Sequence, residues 1–109
     1  MDDILLSALR ANEAVAANAS SNIANMNTPS YRALKTTIVS SSPEALDVVT
    51  LTSDERGPLD EEGNEMSNVD PAREIVVLMQ AKNAFEMALK AISTREEMLN
   101  DLVESLAER

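Results

Sequence analysis

Four asparagines fall within ten residues, at Asn18, Asn22, Asn25 and Asn27, and the run closes on Thr28-Pro29. An amide carries donors and an acceptor without charge, so such a cluster can hold a backbone or another amide but cannot move protons. The groups that ordinarily move protons are missing: the chain has no histidine and no cysteine. Imidazole acid–base catalysis, thiolate chemistry and the usual zinc sites are thereby excluded. Gly57 and Gly63 are the only glycines, which leaves no glycine-rich loop to cradle a phosphate. Serines are plentiful, but only lysine or a carboxylate is available as their base. No catalytic, metal-binding or cofactor-binding residue is expected, and the chain reads as a non-enzyme. The question is then what the amides hold.

Charge removes further classes. With 19 acidic against 9 basic residues, the formal net charge is −10 and no basic cluster is present. Nucleic acid is excluded as a partner, since phosphate binding needs Lys and Arg to displace counterions. The longest wholly apolar run, Ile75 to Met79, is far too short to span a bilayer. The N-terminal residues carry acids where a secretory signal peptide carries bases, so no cleaved signal is expected.

Three sections position these groups: 1–29, 30–68 and 69–109. In the first, Leu5, Leu9, Asn12, Ala16, Ala19, Ile23 and Met26 alternate spacings of four and three, a helical seam made narrow by alanine. Asp2 and Asp3 suit the positive end of that helix. Thr28 precedes a proline and is pushed out of the α region, so the helix should stop near Met26 or Asn27, with Asn27 as a left-handed cap. In the second section, "TTIVSSS" and "DVVTLTS" are β-branched runs that could pair as a small hairpin across Pro43. The acidic stretch Ser53 to Glu65 has no apolar period and reads as a mobile loop. Its carboxylates lack the spacing of a calcium loop.

The third section has the strongest pattern. Asp70 is placed to cap a helix and Pro71 to occupy its first turn. Ile75, Leu78, Lys82, Phe85, Leu89, Ile92, Glu96, Leu99, Val103 and Leu106 then step by three and four without a Gly or Pro between them. A helix of about 36 residues, roughly 54 Å, is implied, against about 23 residues and roughly 35 Å for the first. The shorter helix cannot cover the longer, and the middle section is too polar to cover the rest. Val76, Met79, Ala88 and Leu102 widen the apolar stripe further. Part of that stripe must meet other chains, or the helix must fray when alone.

The stretch "SNIANMNTPSYR", Ser21 to Arg32, closely resembles the N-terminal signature of the flagellar rod and hook family, approximately Asn-Asn-Ile-Ala-Asn, one residue, Asn-Thr-Pro-Gly-Tyr-Lys. "ALRANEAVAANAS" looks like the helix leading into it. "SNVDPAREIVVLMQAKNAFEMALKAISTREEML" is similar to the family's C-terminal helix, including its Ser-Asn-Val start. The short middle is most like the small proximal rod proteins. Ser30 stands where the family has glycine, which removes the residue that most readily makes a left-handed turn. Asn83, Phe85 and Ala88 stand where the family has Arg, Tyr and Asn; Phe85 keeps the ring and loses the hydroxyl.

The resemblance implies a structural subunit of the bacterial flagellar basal-body rod, self-assembling through its terminal helices into a periplasm-spanning tube. It also implies other rod subunits as partners and export through the flagellar type III apparatus. The implied fold is mainly α, with an N-terminal and a long C-terminal helix packed as a coiled-coil-like pair and a short irregular or β-hairpin middle. Expected assembly residues are Leu9, Asn22, Ile23, Asn25, Asn27, Thr28, Pro29 and Tyr31 at the first helix and its loop. Asn68, Val69, Ile75, Leu78, Phe85, Leu89, Ile92 and Leu99 are their counterparts at the second. In such a tube the amides of Asn22 and Asn25 can bond laterally between neighbours; alternatively they end a helix by satisfying its last carbonyls. A reading from another class is a soluble acidic helical adaptor or export chaperone that binds a client's amphipathic helices. The Asn-Thr-Pro loop discriminates, having no use in a chaperone.

Overall fold

The computed structural model describes residues 2–108, leaving Met1, Arg109 and the side chain of Asp2 outside the description. The chain runs α1 (Asp2–Ala24), β1 (Leu34–Ser42), β2 (Ala45–Thr52) and α2 (Pro71–Ala107). The helices pack against each other, and the two strands form the expected antiparallel hairpin between them in sequence. Its ladder starts from Leu34 opposite Thr52 and slips at Ser40/Ser42 just before the Pro43 turn. A two-stranded hairpin is marginal alone. Here it lies along α1, with the Leu46 amide donating to Ser7 Oγ at 3.0 Å near its tip. Among the described residues α1 packs on both α2 and the hairpin, while α2 and the hairpin do not pack on each other.

The helices run antiparallel: Val15 and Ala19 of α1 share a cleft with Arg73, Glu74 and Val77, whereas Leu5 borders Met87, Met98 and Leu102. α2 is 37 residues long and α1 is 23, so the mismatch read from the sequence is present. After Arg95 every residue of α2 through Ala107 is exposed, a projection of 12 residues (96–107) that Leu5 of α1 borders at Met98, Leu99 and Leu102. The molecule is accordingly a rod of 79 × 24 × 13 Å. α2 starts as expected: Asp70 is extended, its carboxylate accepts from the Arg73 amide, and Pro71 occupies the first turn.

The face joining the helices is not the expected one. Among the described residues the buried hydrophobic ones are Ala11, Ala19, Ala81 and Ala88, four alanines, with Glu74 buried on the same line of α2. Glu74, Ala81 and Ala88 lie one residue before Ile75, Lys82 and Leu89, about 100° around the helix from that line of the expected seam and about 60° from its other line, Leu78, Phe85 and Ile92. Alanine lets two backbones approach closely, and its methyl contributes little, about 0.8 kcal/mol per buried carbon. The close α1–α2 approach thus selects the small residues and turns the large ones outward.

Two loops differ from expectation. The acidic segment is ordered by its own backbone: Asp60 Oδ1 accepts from the Glu62 and Asn64 amides, and the Met66 amide donates to the Pro58 carbonyl at 2.8 Å. Gly57 is buried beneath it, and a Cβ there would fall 1.9 Å from the Met66 carbonyl oxygen, so a glycine is required. The second difference is the cap. Asn27 does not take a left-handed conformation; Ser30 does, with φ 61°, so the turn survives without the family's glycine. Its amide donates to the Glu65 carbonyl at 3.0 Å, which ties the Asn-Thr-Pro loop to the acidic one.

A serine held at positive φ costs about 1 kcal/mol that glycine does not. Ser30→Gly should therefore raise the unfolding free energy of the purified chain by about 0.5–1 kcal/mol, read from its urea midpoint.

Candidate assembly surface

The asparagines answer to the hairpin. Asn22 is fully buried, and its amide is used on both sides. Nδ2 donates to the Leu34 carbonyl at 2.9 Å, while Oδ1 accepts from the Leu34 amide at 2.9 Å and the Tyr31 hydroxyl at 3.0 Å. The side chain thus pairs with the first residue of β1 much as a neighbouring strand would. One helical turn earlier, Asn18 Nδ2 donates to the hydroxyls of Thr36 and Thr50, one on each strand. Asn68 grips the same place from the other side: Oδ1 accepts from the Ala33 amide at 2.6 Å, and Nδ2 donates to Ser53 Oγ and the Glu55 carbonyl. Arg32 adds an ion pair of 2.9 Å with Glu65.

These bonds revise the lateral-contact expectation for Asn22, because a side chain with no exposure in the single chain spends its amide there. Asn25 behaves as a helix-end residue, with Nδ2 donating to the Ser21 carbonyl and Oδ1 accepting from the Thr28 hydroxyl. Asn27, Thr28 and Pro29 are exposed on the loop, and Tyr31, Asn68 and Val69 are half-buried around the clamp. The first helix's Leu9 and Ile23 are half-buried as well.

On α2 the expected residues divide. Leu78, Phe85 and Ile92 are half-buried at the edge of the α1 contact, while Ile75, Leu89 and Leu99 are 46–50% exposed. Ala88, read as part of the outward stripe, faces α1 instead. In all, ten large apolar residues of α2 are exposed: Ile75, Val76, Met79, Met87, Leu89, Met98, Leu99, Leu102, Val103 and Leu106. Scattered exposed leucines are ordinary, but ten along one helix, spread round its circumference toward the C-terminal end, mark surface for other chains. Ala19 lies on the seam read for α1, whereas Ala81 and Ala88 are not legible as the inner line of α2, because large side chains dominate its hydrophobic pattern. Among the described residues no three carboxylates gather as a metal site, and no helix is long and apolar enough to cross a membrane.

Residues 63–105 match the family model described as flagellar basal body rod FlgEFG protein C-terminal. This stretch is thus similar to the C-terminal region of flagellar basal-body rod proteins. The match takes in Asn68 of the clamp, the capped start of α2 and nearly all of its exposed stripe. No curated protein matches the chain.

Replacing Asn22 with leucine strands the amide and carbonyl of Leu34 and the Tyr31 hydroxyl without partners. Asn22→Leu should lower the stability of the free chain by about 3 kcal/mol in urea denaturation. Asn27→Leu, at an exposed loop position, should change it by less than about 0.5 kcal/mol.

Proposed function

We propose that this chain is a self-assembling subunit of the flagellar rod, packed to its neighbours through α1 and α2, with the hairpin carried on the outer side of α1. The observation that carries this reading is the set of large apolar residues exposed along α2, continued past Arg95 onto a stretch in which every residue from 96 to 107 is exposed. Fully burying one such Leu, Ile or Met contributes roughly 1.5–3 kcal/mol, so ten partly exposed ones form a large reserve for association. The four buried alanines contribute far less to holding the single chain together.

The other expected residues take roles in that arrangement. Leu9, Ile23, Leu78, Phe85 and Ile92 set the edge along which a neighbour's helix can lie. Asn22, Asn68 and Tyr31 act one step back, holding the hairpin base so that the helices present one surface. Asn25, Asn27, Thr28, Pro29 and Val69 form the loop level beside it. The match to the rod family's C-terminal model and the resemblance of Ser21 to Arg32 to its N-terminal signature further support a place in the periplasm-spanning rod, other rod subunits as partners and delivery by the flagellar type III export apparatus. A rod-family C-terminal match and the clamped Asn-Thr-Pro loop favour this reading over an export chaperone.

Leu89→Asp should leave the circular dichroism of the free chain unchanged, since Leu89 is 46% exposed there. It should reduce recovery of the chain in isolated basal bodies roughly tenfold or more, because a charge would be buried without a partner. Glu97→Ala, away from the stripe, should be recovered normally. Normal recovery of the Leu89→Asp chain would overturn the proposed packing surface.

A further inference from the structure

The ten-residue seam of α2 contains two charges, Lys82 and Glu96, and they lie two heptads apart (96 − 82 = 14). Both are exposed, and neither makes an ion pair among the described residues. In a seam that a neighbour covers, each needs an opposite charge, because an unpaired buried ion is strongly unfavourable.

Only certain alignments of two parallel copies keep the seam facing itself, namely shifts by whole heptads. With no shift, Lys82 meets Lys82 and Glu96 meets Glu96. A shift of 7 sets Lys82 against Leu89 and Glu96 against Val103 or Leu89. A shift of 21 sets Lys82 against Val103 and Ile75 against Glu96. The shift of 14 sets Lys82 against Glu96, and with it Ile75 against Leu89, Leu78 against Ile92, Phe85 against Leu99, Leu89 against Val103 and Ile92 against Leu106. Every other seam pair is then apolar. At this shift Lys90 comes level with Glu104 on the flank, and no like charges come level among the described residues. In an antiparallel pair the two kinds of seam position face each other, so Lys82 and Glu96, which are of the same kind, would not meet.

The wider charge distribution agrees. Residues 73–95 of α2 carry Arg73, Lys82, Lys90 and Arg95 against Glu74 and Glu86. The projection carries Glu96, Glu97, Asp101 and Glu104 with no base. One copy's acidic tip is complementary to the next copy's basic middle, in a chain that is otherwise strongly acidic.

We propose that neighbouring copies of this chain pack α2 against α2 in parallel with a 14-residue stagger, Lys82 of one against Glu96 of the next. The proposal rests on the rod reading and specifies its subunit contact. The stagger is about 21 Å along the helix. Each copy uses Lys82 toward one neighbour and Glu96 toward the other, so the contact is heterologous and propagates instead of closing into a dimer. The projection is then the part of α2 that lies against the next copy's residues 82–93.

The chain has no native cysteine, so Lys82→Cys combined with Glu96→Cys places the only thiols in it. Basal bodies isolated from cells making this variant, oxidised and resolved by size with detection of this chain, should give a ladder of covalent multimers. Either cysteine alone should give only monomer. Separately, Lys82→Glu or Glu96→Lys should each reduce recovery in basal bodies on the order of tenfold, and the combined exchange should restore it to within about twofold. Dimers from one cysteine alone, no ladder from both, or no rescue by the exchange would overturn the stagger while leaving the rod reading intact. Absence of the unmodified chain from basal bodies would overturn the rod reading and the stagger with it.

Discussion

A 37-residue helix cannot be buried by a 23-residue one, and the rest of this structure follows from that inequality. α1 buries α2 along the line of Glu74, Ala81 and Ala88, half-buries Leu78, Phe85 and Ile92 beside it, and leaves every residue from 96 to 107 exposed. A compact domain resolves such a mismatch by folding other segments over the surplus. Here the one other structured element, the hairpin, lies on α1 and leaves α2 untouched. The surplus therefore remains outside, as a charged and apolar edge whose complement is not in the chain.

The use of small residues inside and large ones outside divides the work between folding and association. Alanine at Ala11, Ala19, Ala81 and Ala88 sets the spacing of the helix pair without contributing much burial energy. Hydrogen bonds supply much of the specificity that the core lacks. Asn22 and Asn68, from segments 46 residues apart (68 − 22), both bind the start of β1, so the hairpin, the acidic loop and both helices are registered at one point. Each amide there is satisfied, and no buried side-chain polar atom among the described residues lacks a partner. A satisfied polar network of this kind fixes geometry more than it adds stability. That suits a subunit whose stability is completed by its neighbours.

Much of this was legible in the residues. The lengths of both helices, the Asp70-Pro71 start, the hairpin across Pro43 and the surplus of α2 all follow from periodicity and from proline and β-branched placement. The rotation of α2 was not legible, because large side chains suggest an inner face, and here they mark the face left for others. Asn22 stands out in the sequence as an unusual amide, but its partner is not legible there: sequence shows that an amide must bind something, not that Leu34 folds back to it. The acidic segment was read as mobile because it lacks apolar residues, yet its order comes from backbone bonds around Asp60 and the close packing of Gly57. Ser30 shows a similar limit, since a left-handed turn can be imposed on a serine by the bonds on either side of it.

The central claim is that the exposed face of α2 is covered by neighbouring subunits. Methionine supplies a direct probe, because Met87 and Met98 are 72% and 66% exposed on that helix and their thioethers react with peroxide when accessible. Their oxidation rates can be compared by mass spectrometry between the free chain and isolated basal bodies. Coverage predicts rapid oxidation of both residues in the free chain and at least roughly tenfold slowing in the basal body. Equal rates in the two states would contradict it.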